Sequence, residues 1–117
     1  YPDFLIASSE WFAFVPAKEY FDEPGDHADE LETSVMMHYH PELVNLDEAG
    51  NGDYKKFTSQ MFNEKVAWIP RNWQKVSQDT GIGNPKKASA GKGKKYAEAV
   101  VAKYALLFEE LVHKELY

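Results

Sequence analysis

From Tyr96 to Leu116 the chain sets Ala97, Val100, Val101, Tyr104, Leu107, Phe108 and Leu111 at steps of three and four. That period is one face of an α-helix, and Lys103, Glu109, Glu110 and Lys114 fall on the other face. A helix of this kind takes most of its stability from what its apolar stripe packs against, so the other segments must supply a surface for it.

The whole chain reads as one soluble domain. Its 117 residues are 44% hydrophobic and 15% aromatic, which is globular composition. There is no cysteine, so no disulfide framework and no thiol chemistry, and a reducing, cytoplasmic setting is expected. A net charge of −6 argues against a nucleic-acid partner, whose phosphates call for clustered cations. No run approaches the ~18 apolar residues that a membrane span requires, so no membrane association is expected. The chain opens on Tyr1-Pro2 and passes at once into an apolar run, which reads as a piece of a longer polypeptide.

Phe4 to Ser8 and Val66 to Pro70 are short apolar runs that suggest buried strands. Ser8 or Ser9 caps a short helix that Pro16 interrupts. A helix is expected from about Ala28 to Tyr39, with Asp26 as its N-cap and Pro41 ending it. Asp22 to Asp26 and Asn45 to Asp53 carry turn chemistry, and Gln74 to Lys95 reads mostly as loop. The elements together indicate an α/β fold.

The chemistry gathers at the start of the Ala28–Tyr39 helix. His27 stands among Asp26, Asp29, Glu30 and Glu32. The helix dipole disfavours an imidazolium there and the carboxylates favour it, a balance suited to proton transfer near neutral pH. The same pattern also describes an ordinary capped surface helix. Glu32 lies at the margin of the apolar stripe, where a half-buried carboxylate needs a partner, either at the helix edge or in a site. His38 and His40 are two apart and diverge on a helix, so they read as surface residues. Lys86 to Lys95 holds five lysines and no acid, a solvated loop or an anion grip. Trp11, Trp68 and Trp73 are expected in a core or an interface rather than against a ligand.

Three motifs fail on inspection. "DEAGNG" puts Ala49 and Thr58 where a calcium loop needs oxygen ligands. "GIGNPK" lacks the third glycine of a dinucleotide turn, and "AGKGKK" lacks phosphate-loop spacing.

Two longer stretches carry a resemblance. "DHADELETSVMMHYHPELV" resembles the creatininase (creatinine amidohydrolase) family pattern His-Ala/Gly-x-x-x-Glu-Thr-Ser, apolar helix, Pro-Glu-Leu-Val, here His27, Ala28, Glu32, Thr33, Ser34 and Pro41 to Val44. "DTGIGNPKKASAGKGKKYAEAV" is similar to its downstream Asp-Thr-Gly-x-Gly-x-Pro, Ala-Ser/Thr and Lys-Gly segment. The resemblance covers the C-terminal half of the family. It implies the C-terminal part of a three-layer α/β/α sandwich with a mixed sheet and a long C-terminal helix. It also implies a metal-dependent amidohydrolase using zinc or manganese, with ligands mainly in an N-terminal half, and a homo-oligomer, by resemblance a hexamer. The expected partners are that N-terminal half and a small amide substrate, and the fragment alone is expected to be inactive. His27 matches the family's proton-transferring histidine, Glu32 the Glu of Glu-Thr-Ser, and Asp26 stands where creatininase has Glu. Trp11 matches one of two tryptophans that close over substrate. The second, expected just upstream of His27, is missing from "FDEPGDH". The resemblance therefore implies hydrolysis of a cyclic or small amide C–N bond rather than creatinine specifically. The alternative is a non-catalytic relative that serves as an assembly module through the final helix and the aromatic surface.

Overall fold

A computed structural model describes residues 6–115 of the chain. Two helices organise it: α1, Glu30–Tyr39, and α4, Ala90–His113. Between them lie two single-turn helices, α2, Gln60–Asn63, and α3, Trp73–Val76. Short 3-10 turns at Trp11–Ala13, Ala17–Glu19, Pro41–Leu43 and Leu46–Glu48 complete the regular structure.

The helix starts are fixed by side chains. Asp29, not Asp26, caps α1, accepting from the Glu32 N–H at 2.9 Å. Ser89 caps α4, accepting from the Lys92 N–H at 3.3 Å. Helix α4 therefore begins well before Tyr96 and absorbs the lysine-rich stretch that reads as loop in sequence. It ends at His113, and Leu116 lies outside the described residues.

Helices α1 and α4 pack closely because of one glycine. A Cβ on Gly93 would overlap the Ser34 carbonyl, so the two backbones touch there. Ser34 is fully buried at this crossing, and its Oγ accepts from the Ser89 N–H at 3.1 Å. Beside the crossing, Phe21, Leu31, Tyr96 and Val100 form the buried core, with Trp11, Phe14, Tyr20 and Val35 packed around it. The Tyr96 hydroxyl donates to the Phe12 carbonyl at 2.8 Å, which ties the N-terminal segment to α4.

Burial raises the Tyr96 phenol above its ordinary value of 10.0, with the nearby Tyr20 and Asp29 adding to the effect. The folded state then holds this proton more tightly than the unfolded state. The stability is fully present below pH 10 and is lost as pH rises from there through the higher folded-state value. Denaturation at rising alkaline pH should show this loss, and Tyr96→Phe should flatten it. An unchanged alkaline slope in Tyr96→Phe would contradict the assignment.

Two lysines of the 86–95 stretch are taken up by acids of the 22–30 segment. Lys87 pairs with Glu23 at 2.7 Å. Lys92 bridges Asp22, at 2.8 Å, and Glu30. Glu30 is 0% exposed and also accepts from the Glu23 N–H at 2.7 Å. The carboxylate thus joins the 22–26 loop to α4. Glu30→Ala removes these charge-assisted bonds and should lower the unfolding free energy by about 2–3 kcal/mol. Urea denaturation measures this, and a loss under ~0.5 kcal/mol would show the network to be idle.

The expected sheet is not found among the described residues. Among the described residues the only β-pairings are two isolated bridges, His27 with Ile82 and Tyr54 with Ser77. The α/β reading and the mixed-sheet sandwich are therefore corrected to a mainly helical and irregular architecture. Of the first expected strand, Phe4 and Leu5 lie outside the described residues, and residues 6–8 have no regular structure. Val66 to Pro70 pairs with no strand, and Trp68 is 81% exposed, so the apolar run marks surface rather than a strand in a buried sheet. The expectation of a core or interface tryptophan at position 68 meets the same exposed surface.

Much apolar surface remains uncovered. Val101, Leu106, Phe108 and Val112 on the outer half of α4 are exposed. The accessible surface is 9333 Å², against roughly 6,500 Å² for a compact monomer of this mass. The radius of gyration is 17.3 Å, against about 13 Å for a compact domain of this length. No helix among the described residues is long and apolar enough to cross a membrane.

Candidate active site

The site is built where three loops meet the start of α1. His27 forms an antiparallel bridge with Ile82: its N–H donates to the Ile82 carbonyl at 3.0 Å, and the Ile82 N–H donates back at 2.8 Å. Beside this bridge, Gly52 and Gly83 let two further turns approach closely. Both have positive φ, +72° and +127°, and a Cβ on Gly52 would overlap the Gly83 carbonyl. The "DEAGNG" and "GIGNPK" stretches are thus two turns packed on each other, which explains their glycines without any ligand.

The adjoining turn is held by Asp79, whose carboxylate accepts from the Gly81 N–H and the Ser77 hydroxyl, both at 3.0 Å. These bonds hold the Asp79 carboxyl below its ordinary value.

Ala28 follows His27 in the left-handed region at φ 47°, which a non-glycine residue adopts at a cost of about 1–2 kcal/mol. This sharp turn ends the bridge and starts α1. The Glu-Thr-Ser run secures it. Glu32 Oε2 accepts from the Ala28 N–H at 2.6 Å, and Thr33 Oγ1 donates to the Ala28 carbonyl at 3.3 Å. Ser34 anchors the same turn of helix to α4. The same Glu32 oxygen lies 3.5 Å from His27 Nδ1, with the two side chains 35% and 43% exposed. That separation is long for a hydrogen bond and suits an ion pair once the imidazole is protonated.

Glu32 and Ala28 line a cavity of about 550 Å³ whose walls include Trp11, Met36, Leu46 and Pro85. His27 sits at its edge rather than in its lining. Trp11 lies edge-on to Tyr96, with ring centroids 6.2 Å apart. The structure therefore brings Trp11 and Glu32 to one cavity and His27 to Glu32. It turns Asp26 elsewhere: both carboxylate oxygens bind Arg71, each at 2.7 Å. The cavity walls are largely apolar, with Glu32 among their polar groups and His27 3.5 Å from that carboxylate.

Trp73, expected in a core or an interface, stands beside the site. Its ring lies 4.9 Å from the His27 ring, and the Arg71 guanidinium carbon lies 5.5 Å from the Trp73 ring centroid. No local pattern links positions so far apart in the chain. The one available signal is a cation two residues before a large aromatic in a polar stretch.

Among the described residues no three His, Asp or Glu side chains gather as a metal site. The described residues do not by themselves fit a zinc or manganese ion.

With this geometry in place, the comparisons define the family. Residues 4–108 match the creatininase family, described as creatinine amidohydrolase, and the chain belongs to that family. A crystal structure of a Bacteroides fragilis protein, described as a candidate creatinine amidohydrolase, is similar at 58% identity and a TM-score of 0.90. The likeness covers 100% of this chain and 47% of that one, so the chain spans about half the length of that protein. None of the curated proteins compared with the chain matches it.

Proposed function

We propose that this chain supplies the proton-transferring side of an amidohydrolase that cleaves a C–N bond in a small or cyclic amide. The observation that carries this reading is the His27–Glu32 contact of 3.5 Å, with Glu32 itself lining the same cavity as Trp11. In amide hydrolysis, water adds to the carbonyl carbon, the C–N bond breaks, and the departing nitrogen takes a proton. His27 as imidazolium donates that proton, and Glu32 stabilises the charged ring from the Nδ1 side. Trp11 offers an apolar wall to a flat substrate.

The remaining half of the protein is proposed as polypeptide outside this chain. The uncovered apolar surface of α4 and the excess accessible area support a partner of substantial size. Zinc or manganese, if used, takes its ligands from that polypeptide, and no step on this chain's residues depends on it. Self-association of the assembled protein belongs to the same proposal. The chain alone is expected to be inactive.

Glu32→Gln is the discriminating variant. The amide oxygen still accepts from the Ala28 N–H, so the helix start is kept, while the charge facing His27 is lost. In the assembled protein, kcat for a cyclic amide should fall about tenfold or more, with thermal stability close to that of the parent. An unchanged kcat would leave Glu32 as a helix cap and nothing else.

A further inference from the structure

We propose that Trp73 is the positioning residue of His27, and that Asp26 serves the reaction through Arg71 and Trp73 rather than by touching substrate. This inference rests on His27 as the proton donor.

The backbone of His27 is fixed by its bridge to Ile82, but its side-chain torsions are not. Its polar contact with Glu32, at 3.5 Å, is too long to set the ring plane. The Trp73 ring is the aromatic neighbour that does so, tilted 47° with centroids 4.9 Å apart.

Trp73 would be a poor support if it were itself loose. Helix α3 is a single turn, too short to be stable alone. It is held at both ends. At its far end Ser77 bridges Tyr54, and the Lys55 N–H donates to the Val76 carbonyl at 2.8 Å. At its near end Arg71 forks onto Asp26 with two bonds of 2.7 Å. The guanidinium also lies 5.5 Å from the indole centroid, within cation–π range.

The four residues close a circuit. His27 is covalently next to Asp26, Asp26 is paired with Arg71, Arg71 lies against Trp73, and Trp73 returns to His27. A bidentate arginine pair is directional, so the circuit fixes orientation as well as distance. All four side chains are partly exposed. Such contacts add little to stability, and their effect should appear in geometry.

The test uses the assembled protein and three variants: Trp73→Ala, Trp73→Phe and Arg71→Gln. Trp73→Ala should lower kcat by about tenfold to a hundredfold, with a smaller change in KM. It should also remove the ring-current displacement of the His27 ring protons in the NMR spectrum. Trp73→Phe should restore part of both effects. Arg71→Gln should lower kcat less, and the double variant Arg71→Gln/Trp73→Ala should match Trp73→Ala, because Arg71 acts through Trp73. If His27→Ala is inactive while Trp73→Ala keeps both its kcat and its His27 ring-proton shifts, this inference is overturned and the proton-donor reading stands. An active His27→Ala removes the proton-donor reading, and this inference with it.

Discussion

His27→Ala in the assembled protein should reduce amide hydrolysis by about 10²–10⁴-fold, the range for loss of a positioned acid–base group. The effect should lie in kcat, because His27 is not among the residues that line the cavity, whose walls include Trp11. The fold should survive. His27 is held to Ile82 through its backbone, which alanine keeps. Its side chain is 43% exposed and contributes no core contact, so circular dichroism and the denaturation midpoint should match the parent. An added imidazole-like buffer that restores part of the rate would be further support. Full activity in the variant, measured under conditions where the parent is saturated, would place the proton donor elsewhere.

The largest structural effect is expected at Gly93. A methyl there overlaps the Ser34 carbonyl and crowds the Val35 amide, and both are backbone atoms that no rotamer change can move. To accommodate it, α1 and α4 must separate. That loosens the Ser34–Ser89 bond and the bridge from Lys92 to Glu30. Overpacking of this kind costs about 3 kcal/mol or more, a large share of the 5–15 kcal/mol typical of a domain. Gly91→Ala is the control. It lies in the same helix with nothing within 4 Å of the added carbon, and alanine is the better helix former. Urea denaturation should show Gly93→Ala strongly destabilised and Gly91→Ala equal to or slightly above the parent. Equal midpoints for all three proteins would mean that the helices do not cross as described.

These two positions show how differently fold and site could be read from sequence. The apolar period matches the body of α4 from Tyr96 to His113 but runs past its end. Its first turns were hidden because glycines and lysines signal loop locally. Here Gly93 serves a backbone crossing, while Lys87 and Lys92 serve acids of the 22–30 segment, and both are tertiary facts. The strand expectations failed because an apolar run alone does not say what covers it, and Trp68 and Val66 are exposed. Asp26 looked like a cap and proved to be the anchor of Arg71, while Asp29 took the cap.

The resemblance motifs were more informative than their spacing, and the structure gives physical reasons for several positions. Ala28 or glycine fits a left-handed turn. Glu32, Thr33 and Ser34 each satisfy a backbone group around that turn or the helix crossing. Asp79 and Gly81 close a turn under His27, Ser89 caps α4, and Gly93 admits α1. The His27–Trp73 contact stayed invisible, since no periodicity joins a bridge residue to a distant single-turn helix.

The most direct test is a rate measurement on three samples: this chain alone, the polypeptide that supplies the other half alone, and the two together, each offered a small cyclic amide. Ring opening should appear only in the mixture, at a rate that saturates as this chain is added. Turnover by the other half without this chain, undiminished when this chain is left out, would contradict the assignment of the proton-transferring wall to His27 and Glu32.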